Sequence, residues 1–158
     1  MSEMNFRNAR NPEQIRRMKA LQAAGHCYFC KEGSIEEGTL PVIIHQGEYW
    51  YITQNDWPLD GSVHHYIIVP RRHILQTYFL TPEERAELGD MEWWLANTLK
   101  VPGYSMFVRS GEMNLTGATI DHCHYHFLVG GPKPPVPEGE KVPMDQVVPV
   151  VIAYKENK

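Results

Sequence analysis

The run DHCHYHFLVGG, Asp121 to Gly131, places histidines at 122, 124 and 126 inside an otherwise apolar stretch. No other stretch constrains the chain as strongly. Alternation with a period of two is a strand's pattern, which puts His122, His124 and His126 on one face and Cys123, Tyr125 and Phe127 on the other. The apolar face packs into a core, and the histidine face needs a chemical reason. Three imidazoles buried side by side cost desolvation and repel one another when protonated, so simple core packing is a poor account of them. In a regular strand the Cα atoms of His122 and His126 lie about 13 Å apart, at roughly 3.3 Å per residue. One tetrahedral ion, with metal–nitrogen bonds of about 2 Å, does not readily collect all three. The triplet must divide its labour.

Imidazole is largely neutral near pH 7, attacks phosphorus and departs again readily, so it can carry a phosphoryl or nucleotidyl group between two displacements. Flanking imidazoles can hydrogen-bond phosphate oxygens and assist the departing group. His124 is flanked on both sides and is the expected nucleophile. Just before it, RSGEMNLTGATI contributes Ser110, Gly111, Gly117 and Thr119, small residues whose amides and hydroxyls suit a phosphate cradle.

The rest of the chain reads as one α+β domain spanning residues 1–158. NPEQIRRMKALQAAG is a helix with Asn11 as N-cap, Pro12 at the first position and Gly25 as the stop. LPVIIHQGEYWYIT is two strand-like runs around Gln46-Gly47, and HHYIIVP is a buried strand closed by Pro70. TPEERAELGDMEWWLANTLK is a second helix capped by Thr81, with Leu80, Leu88, Met91 and Leu95 broadly on one side. YSMFVRS and DHCHYHFLVGG add strands, and DQVVPVVIAYK is expected to add a C-terminal strand, kept from a central position by Pro149. A net charge of −4 argues against a nucleic-acid binder. No apolar run approaches a membrane span or a secretory leader, which leads us to expect a cytoplasmic protein. Cys27 and Cys30 form Cys-x-x-Cys and Cys123 stands alone, so metal binding or redox chemistry suits the pair better than a disulfide scaffold.

HCHYHFL resembles the mark of the histidine triad family, His-φ-His-φ-His-φ-φ, where φ is apolar. NDWPLDGSVHHYIIVPRRH is similar to the family's upstream block, with Asn55, Pro58, His65, Pro70 and His73 at the patterned positions, and TGAT is similar to its glycine turn. These blocks cover residues 27 to 130. The resemblance implies a five-stranded antiparallel sheet with two main helices, often as a homodimer. It also implies a nucleotide hydrolase or nucleotidyl transferase acting at the α-phosphate of a nucleoside phosphoramidate or dinucleoside polyphosphate. His124 would form the nucleotidyl intermediate, with His126 and His65 supporting the phosphate and leaving group. Asn55 would contact the ribose and Thr119 the phosphate, beside Gly117, with Trp57 in the loop near the nucleoside. Zinc-bearing members, and the related galactose-1-phosphate uridylyltransferases, imply Cys27, Cys30, His73 and His122 as ligands. Cys2His2 fills a tetrahedron and reads as structural zinc.

The sequence also departs from the pattern. Ala118 stands where several members carry Gln, which removes a donor near the leaving group. His64-His65 replaces the usual Gly-His; His65 keeps the eight-residue spacing to His73, leaving His64 to solvent. Gly111 replaces an amide residue, for which Arg109 or Asn114 could substitute. Arg71 and Arg72 suit either phosphate or solvent. A nucleotide-binding regulatory module with residual catalysis, and a hydrolase using a catalytic ion on the histidine strand, are the rival readings.

Overall fold

The computed structural model describes residues 4–30 and 42–156. Leu40 and Pro41, which open the first predicted strand run, lie outside that range. Five strands form one antiparallel sheet: β1 (Ile43–Gln46), β2 (Trp50–Gln54), β3 (His64–Pro70), β4 (Ser105–Arg109) and β5 (His124–Val129), in the order β1-β2-β3-β5-β4. The last strand in sequence therefore inserts between β3 and β4. Its register sets Ile67 and Phe107 on either side of His126, and Arg109 beside His124.

The period-two pattern sorts the sheet into two faces. On one lie Trp50, Ile52, Ile68, Phe127 and Val129, buried against Met91 and Leu95 of the helix α2 (Pro82–Leu99). Trp50 is fully buried, and its indole N–H donates to the Glu84 carbonyl at 2.7 Å, so the largest core side chain leaves no polar atom unpaired. The opposite face carries Tyr51, Ile67 and Val69, which pack on Cys27, Phe29 and Ile120, and further along it the histidines.

Both predicted helices form with the expected caps. In α1 (Pro12–Ala23) the Asn11 side chain accepts from the Gln14 amide, and Gly25 leaves the helix at φ +76°, a conformation that costs glycine little. At α2 the Thr81 hydroxyl accepts from the Glu84 amide while the Glu84 carboxylate accepts from the Thr81 amide at 2.8 Å, a reciprocal capping box. Arg72 donates twice to the same carboxylate, at 2.9 and 2.8 Å. Arg71 is bound to Gln46 and the Gly47 carbonyl. The two arginines of PRRH thus serve the frame.

Two expectations are corrected. The predicted C-terminal strand is absent among the described residues: 147–156 holds no strand. Pro149 removes a ladder donor there, and the segment instead runs past the mouth of the cleft, which Pro149, Val151 and Tyr154 help to line. In addition, β5 begins at His124, so His122 precedes the regular strand and is not bound to its alternation.

Candidate active site and metal cluster

His122, released from the ladder, turns to the cysteine pair. Its Nε2 lies 2.9 Å from the Pro70 carbonyl, which can only accept, so Nε2 carries the proton and Nδ1 offers a lone pair. That Nδ1 lies 3.5 Å from Cys27 Sγ and 3.6 Å from Cys30 Sγ, and His73 Nδ1 lies 3.2 Å from Cys30 Sγ. All four ligand atoms fall within 4.8 Å of one another. A tetrahedral ion with bonds of about 2.0 Å to nitrogen and 2.3 Å to sulfur separates its ligands by about 3.5 Å, so the set fits a metal ion. The Cys27 thiol is held down to about 3, first by its hydrogen bond with Cys30 and then, against the effect of burial, by His122. It is primed as a thiolate ligand. The helix before the pair brings Cys27 and Cys30 in, the turn after β3 brings His73, and the approach to β5 brings His122.

His124 hydrogen-bonds through Nδ1 to the His122 carbonyl at 2.7 Å, and the same logic leaves its Nε2 bare. The side chain is buried, its ring 4.9 Å from that of Phe29 and 5.0 Å from that of His126. Burial lowers its pKa to about 4, so the imidazole is neutral at pH 7.

The remaining two histidines form a directed chain. The Leu59 amide donates to His65 Nδ1 at 3.0 Å, so that nitrogen is the acceptor and His65 Nε2 carries the proton. His65 Nε2 lies 2.7 Å from His126 Nδ1 and donates to it. His126 is thereby fixed with its proton on Nε2. One backbone amide thus assigns the tautomers of two imidazoles. Burial first, and then the Arg10 and Arg109 charges, lower His65 to about 4. His126 is lowered well below its ordinary value by burial, then by its two histidine neighbours and the same arginines. Phe107 stacks on the His126 ring, centroids 4.4 Å apart and planes 9° apart.

These rings line a cleft of about 630 Å³. Asn55, Trp57, Gly117 and Thr119 all line it too. Asn55 Oδ1 accepts from the Trp57 amide at 2.9 Å, while its Nδ2 lies 3.2 Å from His65 Nε2, two donors facing each other, so that the Nδ2 protons remain for another acceptor. Gly117 sits at φ +72° and its amide donates to the Met113 carbonyl, closing the short helix α3 (Met113–Thr116). A Cβ there would stand 3.1 Å from Arg109 Nη1 and 3.3 Å from the Val151 carbonyl, so glycine is needed for close approach as well as for φ. Of the two substitutes for the missing amide residue, Arg109 lines the cleft, whereas Asn114 pairs with the Asn5 side chain. Cys123 is buried on the helix-facing side, its thiol pushed up to about 12 by burial.

Several cleft residues escaped the sequence reading. Phe107 follows from the pattern once the register is known, since Phe107 and Arg109 alternate on β4 as His124 and His126 do on β5, whereas Phe29 sits in a turn outside the sheet. Arg10, Asn8 and Tyr154 carry no local signal. They are joined only in space: Asn8 Nδ2 donates to the Ala118 carbonyl at 2.6 Å, and the Tyr154 hydroxyl donates to Asn8 Oδ1 at 2.8 Å.

An antiparallel sheet with a cleft-facing histidine cluster on its penultimate strand position, and a Cys2His2 set beside it, is an arrangement shared with solved structures of histidine triad proteins. A HIT family hydrolase from Clostridium thermocellum is 26% identical, with 73% of this chain and 96% of that one covered at a TM-score of 0.51. A histidine triad nucleotide-binding protein from Candida albicans (19% identity, 75% and 87% covered, TM-score 0.53) and a hypothetical protein from Leishmania major (19%, 77% and 88%, 0.54) share the fold. The sequence matches no family model and no curated protein. In motif, fold and cluster the chain is similar to histidine triad proteins, whose fold it shares.

Proposed function

We propose that the protein is a nucleotide hydrolase or nucleotidyl transferase that works at the α-phosphate through a nucleotidyl-His124 intermediate. The observation that carries this reading is the bond from His124 Nδ1 to the His122 carbonyl. It leaves Nε2 with a lone pair in the cleft and offers an acceptor for the positive charge that the ring gains when Nε2 bonds to phosphorus. His126 Nε2–H is placed to donate to a phosphate oxygen or to the leaving group, and His65 holds it in that tautomer. Water or inorganic phosphate then attacks phosphorus and frees Nε2. In this reading Asn55 and Trp57 lie toward the nucleoside, and Gly117 and Thr119 toward the phosphate. The hydrolase from Clostridium thermocellum supports the hydrolytic outcome, and the nucleotide-binding protein from Candida albicans the ligand class.

Cys27, Cys30, His73 and His122 would hold zinc as a structural ion. Four protein ligands leave no open position, so when bound the ion would fix the approach to β5 and thereby aim His124. Residues 1–158 would act as one domain, as a cytoplasmic homodimer. Among the described residues no helix is long and apolar enough to cross a membrane.

Intact-protein mass spectrometry after mixing with adenosine 5′-phosphoramidate and with diadenosine tetraphosphate, for wild type and His124→Ala, tests the reading. A nucleotidyl-mass adduct and turnover are expected in wild type only. Turnover that survives in His124→Ala refutes the nucleophile.

A further inference from the structure

The cleft is cationic in a chain that is not. Net charge is −4, yet Arg7, Arg10 and Arg109 line the cleft against only Asp56 and Asp60. Asp56 is already held by Arg17 and by the Tyr28 hydroxyl, each at 2.6 Å. Among the described residues neither Arg10 nor Arg109 meets a carboxylate. Each guanidinium is instead steadied by one backbone carbonyl, Arg10 by that of Trp57 and Arg109 by that of Thr116, which leaves most of its N–H donors free.

Both arginines line the cleft that holds the histidines. Arg109 is the register partner of His124, and its Cζ lies 5.1 Å from the centroid of the Phe107 ring that stacks on His126. Arg10 comes from the segment before α1 and reaches across to the loop after β2. Arg109 lies below its ordinary value, lowered first by burial and, against the opposing effect of the Tyr154 hydroxyl, by the charge of Arg10. Two cations without a carboxylate partner in the cleft that His124 lines form a site that an anion would complete.

We propose that Arg10 and Arg109 form a leaving-group subsite for phosphate, which makes the enzyme select nucleotides whose α-phosphorus bears an anionic phosphate leaving group over those that release an amine. This deepens the hydrolase reading and rests on it. When Nε2 of His124 bonds to the α-phosphorus, the bond to the bridging oxygen breaks and its electron pair stays on that oxygen. A phosphate product holds this charge without a proton, and two guanidiniums stabilise it. An amine must acquire a proton as it departs, and His126 and His65 are both held neutral at pH 7.

The test compares kcat/KM for diadenosine tetraphosphate and adenosine 5′-phosphoramidate in wild type, Arg10→Gln and Arg109→Gln. It is joined to the affinities of the three proteins for ADP and AMP by calorimetry, with melting curves as a control on folding. The ratio of kcat/KM in favour of the tetraphosphate is expected to fall about tenfold in each variant, the value of one charge-assisted hydrogen bond. The wild type is expected to prefer ADP to AMP, and the variants to lose that preference. Arg109 also binds the Thr116 carbonyl; should its variant melt early, Arg10→Gln, at the exposed rim, decides. An unchanged ratio, or equal wild-type affinity for ADP and AMP, overturns the proposal. Absence of turnover with an arginine-dependent ADP preference instead sinks the hydrolase reading and leaves the subsite standing.

Discussion

The buried His65–His126 pair makes stability depend on acid in a calculable way. His65 is 3% exposed and its folded pKa is about 4, against an ordinary value of 6.5. As pH falls through 6.5 the unfolded chain takes up the proton and the folded chain does not. The unfolded state then binds more protons, so stability falls with falling pH, by about 1.4 kcal/mol per unit. The contribution is complete above pH 6.5 and exhausted near pH 4, a total of about 3 kcal/mol at most. His65→Gln removes the titrating ring. Urea unfolding of both proteins at intervals from pH 7.5 to 4.5, read by tryptophan fluorescence, isolates the effect. Acid sensitivity of the cysteine cluster is common to both proteins and cancels in the difference. Wild type is expected to lose ground to the variant by more than 1 kcal/mol per pH unit below pH 6. A constant offset between the two across the range refutes the argument.

Two further outcomes follow from the geometry. Metal removal by a chelator at pH 7 is expected to lower the melting temperature and the phosphoramidate turnover together, because the same ligand set fixes His122 and so the carbonyl that holds His124; a chelated protein that melts unchanged but is inactive would speak for a catalytic ion. Glu87 accepts from the amides of Glu48, Tyr49 and Trp50 at 2.9 to 3.1 Å, tying α2 to the β1–β2 turn. Glu87→Ala is expected to cost about 2 kcal/mol in urea unfolding, and a loss under 0.5 kcal/mol, about the effect of an ordinary surface change, would contradict it.

What could be read in the sequence was what is decided within a few residues. Asn11-Pro12 and Thr81-Pro82 start helices because the capping side chain and the ring act on the next turn, and Gly25 ends one because only its own φ matters. Alternation in HCHYHFL set the apolar face of β5 against α2, and a cleft-facing histidine cluster was legible because three imidazoles at that spacing have few other uses. Arg71 and Arg72 could not be placed, since their partners, Gln46 and Glu84, lie 25 and 12 residues away. Asn55 is held against His65 by a loop whose course no local rule supplies.

The C-terminal segment shows the limit most clearly. VVPVVIAYK has the composition of a strand, but a strand forms only where a sheet edge offers free donors and acceptors, and composition does not reveal whether one does. The sequence by itself determined the helices, the histidine face and the ligand types. Only the tertiary structure decided that Cys27 and Cys30 meet His73 and His122, that Leu59 orients His65, and that Arg10 and Arg109 line one cleft. The reason is physical: caps and periodicities are enforced by neighbouring bonds, whereas a hydrogen bond or ion pair between distant residues exists only once the sheet has fixed both ends.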